Sequence, residues 1–298
     1  MMGERLMDHA EHSTSVIAIG NQKGGVAKTT NTAHIAAALG KLGRKVLVWD
    51  LDVNYGLTSH FGIPPMAYSG TFHVLTGERE PEDIILTHED PDIELPTGVH
   101  VIPSSRDLEK LDAVLSTNDP FFNRYTVLHE PLAKLRGNYD YIFLDTAPNT
   151  NVTTTLASYL VADYFIISTL PEKLALEGLK NALKDIAQAQ RKDRNPQLKL
   201  LGVIVSRLDR RIRKAREYEE AIRQSFAANA QESRKFRTTI TSSAAIPRAQ
   251  DAGKTVFQTE PEHEATQQFL AIARELEERI AEFEPATHSV REGGVAHG

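Results

Sequence analysis

The stretch that decides the fold reads Gly20-Asn-Gln-Lys-Gly-Gly-Val-Ala-Lys-Thr-Thr30. A short apolar run, residues 16–20, leads into it, and a helical pattern follows from residue 29. A glycine-rich loop between a strand and a helix points successive backbone N–H groups at phosphate oxygens, beside the positive end of the helix dipole. In such a loop Lys28 reaches the β- and γ-phosphates of a nucleotide, and the Thr29 hydroxyl binds Mg²⁺. The sequence therefore predicts a phosphate-binding loop.

The loop departs from the strict pattern GxxxxGK[ST], because Gln22 and Ala27 occupy its two glycine positions. Taken alone, the segment also fits a glycine-rich turn that happens to carry Lys and Thr at the start of a helix. Two features favour the phosphate loop over that alternative. It lies between a strand and a helix, and a second lysine, Lys23, stands five positions before Lys28.

Apolar runs alternate with helical patterns along most of the chain. The runs lie at residues 16–20, 45–51, 99–102, 139–144, 164–168 and 198–206. Most are apolar throughout, which is typical of parallel strands buried on both faces. Helical patterns lie at residues 29–42, 108–115, 174–191 and 264–283. This alternation predicts an α/β fold: a doubly wound, mostly parallel sheet with helices on both faces.

The domain organisation is predicted to be simple. No internal repeat or Ser/Gly-rich linker divides the chain, so we expect one domain over residues 15–284, with flexible tails at residues 1–14 and 285–298. The final helical pattern combines one apolar stripe with a Glu-rich opposite face. A membrane-surface helix carries Lys and Arg there instead, so this pattern favours packing against the domain.

Composition excludes several classes of protein. The 298 residues contain no Cys, which rules out a disulfide scaffold, cysteine-ligated zinc, iron–sulfur clusters and thiol catalysis. Residues 1–15 lack the apolar core of a signal peptide, and residues 152–170 are too polar to span a bilayer. We therefore expect a cytoplasmic protein.

The net charge of −6 hides a segregated distribution. Residues 191–254 hold 16 Lys and Arg against 7 Asp and Glu, while residues 78–94 hold eight acids. The basic region fits either a solvated surface or a surface that binds a polyanion. The acidic segment fits either a solvated loop or a site for a partner.

Four ordered motifs resemble those of the deviant Walker-A ATPases of the ParA/MinD type. Residues 23–29 match the signature KGGxxK[ST] in full, and residues 45–52 resemble the second motif, a strand that ends in Asp-x-Asp. Residues 139–148 resemble the Walker-B strand, which ends here at Asp145, and residues 171–179 resemble the Pro-Glu segment and the helix that follows it. On this resemblance the chain is identified as a member of this P-loop NTPase family.

The resemblance implies ATP and Mg²⁺ as cofactors and a role for each matching residue. Lys28 would neutralise the phosphates, Lys23 would cross a nucleotide-sandwich dimer to the partner's phosphates, and Asp52 would position the attacking water. Mg²⁺ would be held by Thr29 and Asp145, with Asp50 as support. The remaining expected nucleotide contacts are Gly24, Gly25, Val26, Ala27, Thr30, Ser206, Arg207 and Thr241.

Two of these positions depart from the family pattern. Ala27 replaces a glycine, which implies a methyl group near the phosphates and slower turnover. Thr241 stands where the family commonly has Pro, so the contacts that would select adenine over guanine are altered.

Members of the family differ in what they bind besides ATP. ParA-type members bind nonspecific DNA and a partner protein, whereas MinD-type members bind membrane through a basic C-terminal helix. The acidic final helix favours the ParA type. We therefore expect a homodimer that forms with ATP and associates with the nucleoid. Its slow ATP hydrolysis is expected to be stimulated by a ParB-like adaptor, and no membrane partner is expected. The basic residues from Arg207 to Arg216 are predicted to begin a helix. The expected DNA-binding residues are Arg210, Arg211, Arg213, Lys214, Arg216, Arg234, Lys235, Arg237, Arg248 and Lys254.

Two alternatives and the cargo remain open at this stage. One alternative is a MinD-like, membrane-associated positioning ATPase. The other is a nucleotide-binding scaffold with negligible hydrolysis. The cargo could be a plasmid, a chromosome or a protein assembly.

Overall fold

The computed structural model describes residues 14–90, 92–119, 121–149, 151–227 and 234–283. Within these residues one parallel sheet of six strands forms the centre, in the spatial order β3-β2-β4-β1-β5-β6. The strands are β1 Ser15–Gly20, β2 Val46–Asp50, β3 Val99–Ile102, β4 Tyr141–Asp145, β5 Tyr164–Thr169 and β6 Lys199–Val205. All six predicted strands are confirmed, with boundaries shifted by at most two residues.

Helices fill the connections between the strands, as parallel pairing requires. The α-helices of the described residues are α1 Lys28–Lys41, α2 Gly56–His60, α3 Thr71–Leu75, α4 Leu111–Asn118, α5 His129–Leu135, α6 Thr153–Val161, α7 Ala175–Ala189, α8 Arg213–Ala227, α9 Ala245–Asp251, α10 Val256–Thr259 and α11 Glu264–Phe283. None of them is long and apolar enough to cross a membrane.

The sheet is buried on both faces because side chains alternate along each strand. In β1, Ile17 and Ile19 belong to one apolar core, while Val16 and Ala18 belong to the other. The first core includes α1 and α11, and the second includes α5, α6 and α7. The prediction that the last helix packs against the domain is confirmed, since its apolar stripe is part of the first core, for example at Phe269.

Two predicted details were wrong, and one prediction falls mainly outside the described residues. The pattern at residues 108–115 is divided between a 3-10 turn, Arg106–Lys110, and α4. The helix after β6 begins only at Arg213, so Arg210 and Arg211 lie in the turn before it. Apart from Thr14, both predicted tails lie outside the described residues. Thr14 itself is buried and donates a hydrogen bond to the carbonyl of Tyr139 (2.7 Å).

Candidate functional site

The site lies where the carboxyl ends of the central strands meet, the edge at which open α/β sheets bind ligands. Ile19 of β1 and Asp50 of β2 both pair in register with Asp145 of β4. The phosphate loop therefore starts beside the two strand-end aspartates that the sequence analysis singled out.

The loop is open toward solvent and fixed from behind. Gly25 has a φ of 72°, and among the described residues no atom lies within 4 Å of where a β-carbon would project at Gly24 or Gly25. The Oδ1 atom of Asn21 accepts a hydrogen bond from the backbone N–H of Lys23 (3.1 Å), and Ser168 Oγ donates to the carbonyl of Val26 (2.6 Å). These contacts hold the loop in place at the start of α1.

Ala27 adopts the left-handed conformation, with a φ of 66°, at the position directly before α1. A β-carbon at this φ crowds the following carbonyl, which is why glycine is the usual choice there. The departure found in the sequence therefore has a backbone cost besides the predicted methyl group near the phosphates, and the predicted effect on turnover stays a prediction.

Lys28 contributes a buried cation to the cradle. Its ammonium group donates to the carbonyl of Lys23 (3.3 Å), and its side chain is almost fully buried. Burial lowers the pKa of Lys28, and the charges of Asp145 and Asp52 offset part of that shift. A desolvated cation at the mouth of an open backbone loop attracts anionic groups strongly, because little water competes for it.

Asp145 is held by two hydroxyls from the first turn of α1. Thr29 Oγ1 donates to its Oδ2 atom (2.8 Å), and Thr32 Oγ1 donates to its Oδ1 atom (3.0 Å). Burial raises the pKa of Asp145 to about 6, against these hydrogen bonds. The sequence analysis missed Thr32, although its spacing of three residues from Thr29 on a helix places both hydroxyls on one face.

The two other aspartates occupy different environments. Asp50 is fully buried, accepts hydrogen bonds from the N–H (2.8 Å) and hydroxyl (2.7 Å) of Thr58, and does not line the cavity. Burial and the neighbouring Asp145 raise the pKa of Asp50 to about 7. Asp52 is half-buried and lines the cavity, and its Oδ1 atom accepts hydrogen bonds from Asn54. Asp50 thus contacts the helix behind the site, whereas Asp52 faces the cavity.

A cavity of about 490 Å³ brings together nearly all of the predicted nucleotide-binding residues. Those that line it are Gly24, Gly25, Val26, Ala27, Lys28, Thr29, Thr30, Ser206, Arg207 and Thr241. The cavity is also lined by residues that were not among the predicted contacts: Asn31, Pro148, Ile240, Ser242, Ser243, Ile246, Pro247, Gln250 and Phe269. Pro148 ends the segment that resembles the Walker-B motif, and Ile240, Ser242 and Ser243 flank Thr241. No local motif indicates the others, which come mostly from α9 and α11.

Among the predicted nucleotide contacts, all of them described, Lys23 is the one that does not line the cavity. Its ammonium group instead pairs with Glu172 Oε2 (2.5 Å), at a half-exposed position. Its neighbour Gln22 donates to Asp185 of α7 (2.5 Å). Both contacts tie the outer side of the loop to the segment that begins at β5.

The predicted DNA-binding residues fall into groups that the sequence could not distinguish. Arg210, Lys214 and Arg216 are exposed, and none of them forms an ion pair within the described part of the chain. Arg211 pairs with Asp209 (2.8 Å) and Arg213 with Glu217 (2.7 Å), yet both arginines remain largely exposed. This turn and the start of α8 therefore carry a dense positive surface.

The remaining members are engaged elsewhere. Lys235 is buried and pairs with Glu219 (3.2 Å), so the expectation that it contacts DNA does not fit its position. Arg234 is half-buried and lies over the ring of Phe283. The last three pair with acids from other segments: Arg237 with Glu278, Arg248 with Glu260 and Lys254 with Glu94.

Comparisons with known proteins agree with this geometry. The AAA domain family model matches residues 14–200. The chromosome-partitioning ATPase Soj of Thermus thermophilus is 31% identical, over 89% of this chain and 96% of that protein, and the chromosome partitioning protein ParA of Caulobacter vibrioides is 30% identical, over 88% and 93%. A crystal structure of cobyrinic acid a,c-diamide synthase from Mycobacterium smegmatis with bound ADP and magnesium matches with a TM-score of 0.72 and 28% identity, over 91% of this chain and 97% of that one. The chain therefore belongs to the ParA/Soj-type family of P-loop ATPases.

Proposed function

We propose that the protein binds ATP with Mg²⁺ in the cavity and that two chains then dimerise around the nucleotide. The dimer binds nonspecific DNA, and ATP hydrolysis separates the chains and releases them from the DNA. One observation carries the proposal: an open glycine cradle that ends in a buried Lys28 and a Thr29–Asp145 hydrogen bond. The mycobacterial structure of the same fold, with its bound ADP and magnesium, supports the choice of ligand.

The residues present suit Mg²⁺. Within the described residues no group of three or more His, Asp and Glu could hold a metal unaided. Mg²⁺ at nucleotide sites needs only one or two protein oxygens besides the phosphates, and Thr29 and Asp145 provide them. Bound there, the ion would neutralise phosphate charge during transfer.

Hydrolysis is assigned to three side chains. Lys28 holds the phosphates, and Asp52, facing the cavity, orients the attacking water. We propose that Lys23 leaves Glu172 and reaches the phosphates bound by a second chain. Its half-exposed position outside the cavity supports that role, since a lysine that contacts the phosphates of its own chain could not also reach those of another. Without the second chain the charge on the phosphates is incompletely neutralised, so hydrolysis is slow.

DNA binding is assigned to the turn before α8 and the start of that helix. Lys and Arg displace counterions from the phosphate backbone without reading sequence, so a cluster of exposed cations is sufficient. Arg210, Lys214 and Arg216 supply such a cluster, with Arg211 and Arg213 beside them. A dimer would double this surface, which makes DNA binding depend on ATP.

The relatives support a proposal for the partner and for the place in the cell. Soj of Thermus thermophilus and ParA of Caulobacter vibrioides are named for chromosome partitioning. We propose a similar task here: a ParB-like adaptor accelerates hydrolysis, and the DNA-bound dimer resides on the nucleoid. A membrane-bound mode receives less support, because the apolar stripe of α11 is buried in the core.

The dimer switch is tested with an Asp52→Ala variant, which should bind ATP without consuming it. Light scattering coupled to size exclusion should report a dimer with ATP and a monomer with ADP. Adding Lys23→Ala to that variant should abolish the dimer, while Lys41→Ala, which removes an exposed lysine at the end of α1, should not. A mass that is the same with ATP, ADP and no nucleotide would refute the switch.

A further inference from the structure

A second cleft lies beside α6 and α7, separate from the nucleotide cavity. It consists of two hollows of about 330 and 300 Å³ that share Tyr125, Leu160 and Arg194 as lining residues. Together they are as large as a typical site for a small ligand or a few peptide side chains. The cleft is bordered by the turn between α4 and α5 and by the end of α7.

Two arginines of the cleft have unused hydrogen-bonding capacity. A terminal nitrogen of Arg124 donates to the carbonyl of Asn151, but its Nε atom is buried and has no partner among the described residues. Arg194 donates to the carbonyl of Gln188 (3.3 Å). Across the described segments neither arginine has a carboxylate within ion-pair distance, in contrast to Arg136, which binds Asp163 through both terminal nitrogens (3.0 Å each). Planar guanidinium groups in this state suit carboxylates.

An aromatic side chain lines the cleft together with these arginines. Tyr125 borders both hollows and is 43% exposed. Leu160 adds an apolar wall to the cleft. Tyr and Arg side chains around a hollow are typical of surfaces that bind proteins, where they carry much of the binding energy.

The charge around the cleft indicates the sign of its occupant. Of the charged side chains that line it, Asp185 and Asp193 have partners, Gln22 and Arg191, whereas Arg124 and Arg194 have no carboxylate partner among the described residues. The two acids would repel a continuous phosphate backbone, whereas a peptide can place separate carboxylates on Arg124 and Arg194 and uncharged groups beside the acids.

We propose that this cleft docks an acidic peptide segment of a partner protein. Carboxylates of the peptide bind Arg124 and Arg194, and an apolar side chain packs against Tyr125 and Leu160. This deepens the proposed function by giving a partner protein a binding site on this chain. Only the effect of the bound peptide on the phosphate loop rests on the proposed function.

The cleft is connected to the phosphate loop through its own lining. Asp185 accepts the hydrogen bond from Gln22 of the loop (2.5 Å). On the other side, Arg124 holds the carbonyl of Asn151, six residues after Asp145. A bound peptide would therefore touch residues that support both the loop and the segment after the Walker-B strand.

The test measures peptide binding to the full-length, nucleotide-free protein. The probes are two immobilised sets of dodecapeptides that share Leu and Phe, one rich in Asp and Glu and the other with Lys and Arg in their place. We expect binding to the acidic set only, and the best acidic peptide, labelled with fluorescein, should bind saturably in anisotropy. Arg124→Gln and Arg194→Gln should each weaken it about tenfold, the usual cost of losing a charged hydrogen-bonded pair.

The matched control is Arg274→Gln, which removes one exposed arginine from α11 on the opposite face of the sheet. Its affinity for the peptide should equal that of the wild type, and melting curves of all three variants should report the folded state. Binding to the basic set instead, no binding to either set, or equal losses in the cleft and control variants would overturn the proposal. Because the peptide is measured without nucleotide, its binding does not depend on whether ATP causes dimerisation. A failure of peptide binding likewise leaves the test of the ATP-dependent dimer unaffected.

Discussion

The phosphate loop and the basic region after β6 were both singled out from the sequence, but the fold treats them differently. In the loop, residues 24–30 line one cavity together, and Thr29 donates a hydrogen bond to Asp145. In the basic region, ten cations that looked equivalent divide into exposed, paired and buried groups, from Arg210, which is exposed without an ion pair among the described residues, to the buried Lys235.

The two regions differ because the loop depends on neighbouring residues in the sequence, whereas the basic region depends on residues that are distant in it. A loop between a strand and a helix is a local structure, so order and spacing along the chain determine its geometry. The free charge of a surface depends on acids that approach from distant segments, such as Glu94 beside Lys254 and Glu278 beside Arg237. A count of charges along the sequence contains no information about such partners.

The largest effect is expected inside the loop. Lys28→Met keeps most of the side-chain volume and removes the cation, so ATP turnover should fall by at least about a hundredfold. The same variant should not lose stability, since a desolvated ammonium is removed. Phosphate release and urea unfolding measure the two effects. Lys41→Met, at the exposed end of the same helix, is the control and should leave turnover unchanged; a normal rate in Lys28→Met would contradict the assignment.

The basic region allows a direct comparison of unpaired with ion-paired cations. Replacing Arg210, Lys214 and Arg216 by Gln should reduce the slope of log affinity for DNA against log salt by about 3, because each phosphate contact contributes about 0.9. Replacing the paired set Arg237, Arg248 and Lys254 should change it little, since each already has an acidic partner. Titrations of random-sequence duplex DNA in ATP at several salt concentrations measure both slopes. Equal reductions would show that these ion pairs do not determine which cations bind DNA.

The helix behind the loop gives a prediction for pH. His60 is buried beside His34 of α1, and both of its ring nitrogens lack a partner among the described residues. Burial lowers the pKa of His60 to about 3, so between pH 7 and 5 the unfolded chain takes up a proton there that the folded chain does not. Stability therefore falls as the pH falls, by about 2 kcal/mol from this group.

A His60→Phe variant should lose about 2 kcal/mol less than the wild type between pH 7 and pH 5, as measured by urea unfolding. Comparing the two proteins cancels the opposite contribution of the buried aspartates, whose raised pKa values favour the folded state at lower pH. His129→Phe, at an exposed position, should follow the wild type. Identical losses in all three proteins would contradict the burial argument.

The smallest effect concerns the departure at Ala27. Ala27→Gly should raise the free energy of unfolding by about 1 kcal/mol, because glycine adopts the left-handed φ of 66° without crowding. The same substitution in the middle of α1, Ala37→Gly, should lower it by about 1 kcal/mol or more, since the helix interior disfavours glycine. Thermal unfolding of both variants measures the difference in sign. A loss of stability in Ala27→Gly would mean that the methyl group makes contacts that outweigh the strain.

Sequence alone was sufficient for the strands, the doubly wound sheet and most of the phosphate half of the site. These features depend on continuous apolar runs and on local spacing. The base side of the cavity was predicted only at Ser206, Arg207 and Thr241, because residues such as Gln250 and Phe269 arrive from α9 and α11 through tertiary packing. The pairing of Lys23 with Glu172 was equally inaccessible, since 149 positions separate the two residues.

The central claim is that ATP makes this chain hold DNA. Fluorescence anisotropy on random-sequence duplex DNA, with ATP, ADP or no nucleotide at two salt concentrations, tests it most directly. The account predicts binding that requires ATP and weakens steeply with salt. Binding that is equally strong in all three nucleotide states, or absent from all of them, would contradict it.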